Sequence, residues 1–150
     1  MERFSRSMLV LPDNSINVLK TKKVAIFGIG GVGSFTLETL ARTGIENFVI
    51  VDNDTVSITN INRQIIATTS NIDKYKVDVA RERILDINPN VIVKTYNTFV
   101  TKVMLDNSEV VCYTGNTRKQ EVSNMNVEPN FGFCFCALPA ARVILKIDTP

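Results

Sequence analysis

The chain has 150 residues, 45% apolar and 21% charged, enough for one domain that buries a core without disulfide staples or a structural metal. Its formal net charge of +2, from basic residues that are scattered rather than grouped, makes no case for nucleic-acid binding by itself. The absence of histidine excludes His-based triads, His metal ligands and His general bases, so any catalysis must run on Asp, Glu, Lys, Arg, hydroxyls or backbone.

In chain order, residues 1–22 read as an N-terminal helical arm. It carries a short apolar patch at Met8 to Leu11, candidate helix caps at Asn14, Ser15 and Asn17, and a short helix near 15–21. The run Lys23 to Phe27 is continuous and apolar, the type of strand buried on both faces of a parallel sheet. Glycines at 28, 30, 31 and 33 follow, and a helix is predicted from Ser34 to Thr43 with Phe35, Leu37, Leu40 and Ala41 on or near one face. Gly44 is its C-cap. Asn47 to Val51 is a second strand, ending at Asp52. A loop of turn formers runs from Asp52 to Ser70. A helix is predicted over Lys76 to Ile87, with Val77, Ala80, Ile84 and Ile87 at helical spacing and Asn88-Pro89 as its stop. Val91 to Tyr96 is a third strand. Further strands are expected at Ser108 to Tyr113, Phe131 to Leu138 and Arg142 to Ile147, with no clear long helix after residue 100.

Strand, glycine turn, helix and strand form a βαβ unit of nucleotide-binding type. The expected fold is therefore α/β, a Rossmann-like, doubly wound, mostly parallel sheet over residues 23–150. Gly28, Gly30, Gly31 and Gly33 let a phosphate approach the backbone and the start of the following helix. Asp52, 24 positions after Gly28, is placed to accept hydrogen bonds from ribose hydroxyls, with a turn cap as the bland alternative. Both NAD and ATP carry that ribose, so the cradle alone leaves the ligand open.

The stretch Val51 to Thr68 weighs against hydride transfer. It crowds Asp52, Asp54, Asn60, Asn62, Arg63 and Gln64 beside the nucleotide turn, and Lys76 follows 13 positions after Arg63. Arginine and lysine there suit a polyphosphate that loses pyrophosphate. Asp54 is a candidate Mg²⁺ ligand or cap.

Cys112, Cys134 and Cys136 are odd in number, and C-x-C is not a zinc-knuckle spacing, so no resident metal is expected and a reduced, cytoplasmic setting is the simplest reading. The first residues lack the apolar core of a signal peptide, and no run is long enough for a transmembrane helix.

The succession GxGGxGS, strand, DxDxVxxxNxxRQ, then lysine resembles the ThiF/MoeB superfamily, the ubiquitin-activating-enzyme-like adenylating proteins. Within it the chain is most similar to the tRNA threonylcarbamoyladenosine dehydratase branch (TcdA/CsdL). Arg3-Phe-Ser-Arg6 resembles that branch's opening, Asn60-Ile-Asn-Arg-Gln-Ile65 its signature, and Asn88-Pro89 its helix end; Ile66 stands where the branch often has His. The resemblance covers residues 3 to about 100.

The resemblance implies ATP and Mg²⁺ as cofactors and adenylation of a carboxylate. The glycine turn would cradle phosphates and Asp52 would hold the ribose. Asp54, Asn60, Arg63, Gln64 and Lys76 would complete the nucleotide site, with Arg63 stabilising the charge that develops at transfer. Arg6 would reach the γ-phosphate in a neighbouring subunit, which implies a homodimer. In the dehydratase branch the substrate is the threonylcarbamoyl carboxylate on adenosine 37 of tRNA.

The family's metal-associated aspartate has no direct match. One alignment sets Cys112 and Gly115 where two aspartates belong; the other makes Asp148 the catalytic residue. Family members also run longer, so a truncated or divergent last third, 101–150, is expected. Three functions are weighed on these residues: the tRNA dehydratase; an adenylyltransferase for a ubiquitin-like sulfur-carrier protein; and a non-catalytic nucleotide-binding fragment. An NAD(P) dehydrogenase has no use for Asn60 to Gln64 and Lys76.

Overall fold

The computed structural model describes residues 2–99, together with the backbone of 110–113 and 142–143. Among the described residues the strands are β1 (Lys23–Phe27), β2 (Asn47–Val51), β3 (Ile92–Tyr96), β4 (Val110–Tyr113) and β5 (Arg142–Val143). The helices are α1 (Ser15–Thr21), α2 (Gly31–Thr43) and α3 (Lys76–Ile87). The sheet order is β3-β2-β1-β4-β5, with all neighbours parallel except β4 and β5. The expected α/β Rossmann-like sheet is thus what forms. Of the late strands expected from the sequence, β4 and β5 are present; Phe131 to Leu138 lies outside the described residues.

The strand order reverses at β1. Its register runs Lys23 to Asn47 on one side and Val24 to Val110 on the other. A crevice at the carboxyl end of such a switch point is where open α/β sheets bind ligands. Val24 to Phe27 are all buried, as a strand enclosed on both sides requires. Edge strand β3 is different: Ile92 and Tyr96 stay exposed.

α2 and α3 pack on the sheet through Leu37, Ala41, Val77, Ala80 and Ile84. Gly44 ends α2 at φ +110°, a left-handed backbone that glycine adopts without strain. Three local expectations are corrected. α2 begins at Gly31, three residues before Ser34, because Gly30 already accepts the Ser34 amide at 3.0 Å. Phe35 is half exposed rather than on the core face, since Leu37, Ala41 and fully buried Ser34 define that face. Asn14 precedes α1 with a left-handed backbone, and its side chain bonds Asn17 Nδ2 rather than capping the helix.

Residues 2–22 lie against the domain. Phe4 and Ile16 are buried, Asn47 Nδ2 donates to the Lys20 carbonyl at 2.9 Å, and Lys20 pairs with Glu46 at 3.4 Å. Among the described residues no helix is long and apolar enough to cross a membrane.

Candidate nucleotide site

The glycine turn leaves β1 at Gly28, whose φ of +90° excludes most side chains. The Gly28 amide donates to Val51 at 2.8 Å and ties the ends of β1 and β2 together. Gly30 is the N-cap of α2. A Cβ built there would have nothing within 4 Å, so open space stands against the backbone at this point. Helix geometry leaves the amides of Gly31, Val32 and Gly33 without intrahelical acceptors, at the positive end of a 13-residue helix. Open space and unpaired amides together make an anion cradle. The earlier helix start shifts that cradle onto the glycines themselves.

Asp52 is buried at the end of β2 and holds the turn from below. Its Oδ2 accepts the Ile29 amide at 2.5 Å and its Oδ1 the Asp54 amide at 2.8 Å. The turn-cap role is therefore real. Each carboxylate oxygen keeps further acceptor capacity.

The loop after Asp52 is shaped by a capping box. Ser57 Oγ accepts the Thr59 amide, and Asn60 Oδ1 accepts the Ser57 amide at 3.0 Å. Asn60 is buried, and its carbonyl receives the amides of Arg63 and Gln64. This tight turn lays Arg63 across the start of α2. A Cβ on Gly31 would meet the Arg63 carbonyl oxygen at 3.4 Å and its Cγ at 3.7 Å. The Arg63 guanidinium is exposed and donates to the Thr59 carbonyl and to Asn62 Oδ1. Fully buried Ser34 fixes the same junction, accepting the Ile65 amide at 3.2 Å. Gln64 is buried, and its Oε1 has no hydrogen-bond partner among the described residues.

Lys76 opens α3 and is 5% exposed. A cation at a helix N-terminus opposes the macrodipole. Here Asp54 compensates: Lys76 Nζ lies 2.7 Å from its Oδ2, and the Lys76 amide bonds its carbonyl at 3.0 Å. The lysine and Asp54 are thus brought together. Arg6 lies in the exposed turn after Phe4, and none of the contacts described above reaches it. Gly115 and Asp148 lie outside the described residues, as does the side chain of Cys112, whose backbone pairs with Ile26.

Sequence reading missed an ion cluster behind the site. Glu38 on α2 is buried between Arg42, at 2.7 Å, and Arg83 on α3, at 2.9 Å. Arg83 above all, and Arg42 after it, hold the Glu38 carboxyl below the ordinary range against the opposing effect of burial. Glu38 likewise raises Arg83. Only the i,i+4 spacing of Glu38 and Arg42 was visible beforehand.

Several known proteins are similar to this chain. A tRNA threonylcarbamoyladenosine dehydratase from Bacillus subtilis is 37% identical over 132 residues, 80% of this chain and 52% of that protein. The adenylyltransferase and sulfurtransferase UBA4 of Scheffersomyces stipitis is 40% identical over 98 residues, 63% of this chain and 22% of that protein. The crystal structure of Escherichia coli tRNA N6-threonylcarbamoyladenosine dehydratase, TcdA, in complex with ATP superposes with a TM-score of 0.74 at 34% identity, covering 77% of this chain and 50% of that one. The chain thus spans about half the length of the dehydratases it matches here. The ThiF family pattern matches residues 4–116, and the chain belongs to the ThiF family.

Proposed function

We propose that the chain forms the nucleotide-binding part of an ATP-dependent adenylating enzyme, and that its acceptor is the threonylcarbamoyl carboxylate on adenosine 37 of tRNA. The observation that carries the reading is the junction of Arg63 with the start of α2. It sets the Arg63 side chain, as far as its Cδ, against an anion cradle that has room at Gly30. The ATP complex of the E. coli dehydratase supports ATP as the nucleotide.

In this reading the amides of Gly31 to Gly33 hold the triphosphate and Asp52 orients the ribose while keeping the turn closed. A substrate carboxylate oxygen attacks the α-phosphorus. The bond from the α-phosphorus to the bridging oxygen breaks, and pyrophosphate leaves with the negative charge. Arg63 and Lys76 stabilise that charge, Lys76 by exchanging Asp54 for phosphate. Asn60 and Gln64 shape the loop and offer polar groups beside it. The acyl-adenylate then cyclises and releases AMP, so water is lost overall at the expense of ATP. Mg²⁺ would neutralise phosphate charge. Among the described residues Asp54 is the acidic candidate for it, and Lys76 already holds one of its oxygens. The described residues do not complete a magnesium site.

Arg6 belongs to the same reading as a γ-phosphate contact to a second copy of the chain in a homodimer. A sulfur-carrier protein as acceptor is the second reading, supported by the similarity to UBA4. Release of pyrophosphate and AMP from ATP·Mg²⁺ separates the two. Both products, appearing only with tRNA carrying threonylcarbamoyladenosine, support the dehydratase. Pyrophosphate that appears only with a carrier ending in Gly-Gly, with AMP retained on the carrier as its acyl-adenylate, supports the second reading. No pyrophosphate with either, from folded protein that binds ATP, leaves a non-catalytic nucleotide-binding unit.

A further inference from the structure

We propose that Arg3 and Asn88 are positioning residues: they grip the N-terminal segment so that Arg6 is presented to ATP bound by a second copy of the chain. The proposal rests on the reading of Arg6 given above and deepens it.

Arg3 Nη1 donates to Asn88 Oδ1 at 3.1 Å across 85 positions of sequence. Asn88 is 1% exposed, and the same oxygen receives the Asn90 amide at 3.2 Å. Its Nδ2 is buried without a partner among the described residues. An unpaired buried amide carries a desolvation penalty that an apolar residue would avoid. Its carbonyl end is what the fold uses, and one of the two groups it holds is Arg3. Next to Arg3, Phe4 is 5% exposed, with its Cε1 3.9 Å from the point a Cβ on Gly44 would occupy. Two consecutive residues are thus anchored at the ends of two helices, Phe4 where α2 stops and Arg3 where α3 stops.

That anchorage decides which site Arg6 can serve. α2 has 13 residues and spans about 20 Å from the cradle at Gly31 to Gly44. Arg6 follows Phe4 by two residues, so its backbone lies at most about 7 Å away from it. The segment that carries it is thus anchored at the end of α2 away from its own cradle. The turn around it is ordered by Ser5 to Glu2 and Leu9 to Arg6 backbone bonds. Its guanidinium is exposed and has no partner among the described residues. An exposed cation carried on an ordered backbone turn suits delivery to another molecule. α3 joins the two roles, carrying Lys76 at its start and Asn88 just past its end.

Mixed dimers test this. An Arg6→Ala copy keeps its cradle, and an Arg63→Ala copy keeps Arg6, so mixing the two should restore AMP release with modified tRNA. Arg3→Met is then added to one copy or the other. The expected result is a loss of about tenfold or more when it sits in the Arg63→Ala copy, which donates Arg6, and little change in the Arg6→Ala copy. An equal loss in both copies, or none, overturns the positioning role. No recovery on mixing overturns delivery to a second copy, and amide exchange then tells which part failed. If the grip is real, Arg3→Met should speed exchange at Ser5, Leu9 and Val10, and exchange at the wild-type rate means that Arg3 grips nothing.

Discussion

The Ser34 hydroxyl accepts the Ile65 amide at 3.2 Å and donates to the Gly31 carbonyl at 3.3 Å. One small, fully buried side chain therefore joins the start of α2 to the loop that carries Arg63. Ser34→Ala leaves the Ile65 amide unpaired in the interior. It should destabilise the fold by about 1–3 kcal/mol, read as a lower urea midpoint with an unchanged slope. An unchanged midpoint would mean that the amide finds water.

Gly30 and Gly31 should respond differently to a methyl group. Gly30→Ala meets nothing within 4 Å. It should keep the melting temperature close to wild type while weakening ATP binding, because the methyl occupies the space assigned to phosphate. Gly31→Ala presses on the Arg63 carbonyl at 3.4 Å and should disturb the loop as well. ATP titration by calorimetry checks both, and wild-type affinity in Gly30→Ala would remove the cradle from the site.

Arg63→Ala should leave the fold intact, because the guanidinium is exposed and bonds only to its own turn among the described residues. Loss of a preorganised donor to developing charge costs roughly 10²–10³ in turnover. The check is AMP release together with an unfolding curve. Turnover at the wild-type rate would sink the adenylation reading.

Asp52→Ala should cost more than ligand affinity. Both carboxylate oxygens close the glycine turn through Ile29 and Asp54. Hydrogen bonds to a charged group contribute about 1.5–3 kcal/mol each, so the variant should unfold earlier even without ATP. Denaturation of the nucleotide-free protein measures this. Equal stability would leave Asp52 as a ribose contact alone.

Glu38 gives the fold an acid limit. Its pKa is lowered in the folded state, chiefly by Arg83 and then by Arg42. The folded state thus binds the proton less readily than the unfolded chain. The stabilisation is fully present above the unfolded value, about 4.3, and is lost as pH falls through the lower folded value. Both arginines are partly solvated, so Glu38→Gln should cost only about 1 kcal/mol near neutrality. The gap between wild type and variant should narrow as pH falls below the unfolded value. A gap that stays constant down to acid unfolding would assign it to packing rather than charge.

Much of the fold was legible in the sequence, because its signals are local. Periodicity set the bounds of α3 at Lys76 and Ile87, and continuous apolar runs marked β1 and β2. The order of glycines, Asp52, Arg63 and Lys76 named the candidate site and the family. The start of α2 was misplaced because four glycines carry no periodicity, and only the hydrogen bond from Ser34 to Gly30 shows where the helix begins. The remaining differences come from contacts between residues far apart in sequence. Nothing in a linear reading pairs Lys76 with Asp54, Glu38 with Arg83 or Arg3 with Asn88, because those pairs exist only after two helices and a loop have packed on one sheet. Residue types and their spacing determined the chemistry on offer. Tertiary packing decided which of those groups meet, since hydrogen bonds and ion pairs reach only about 3 Å.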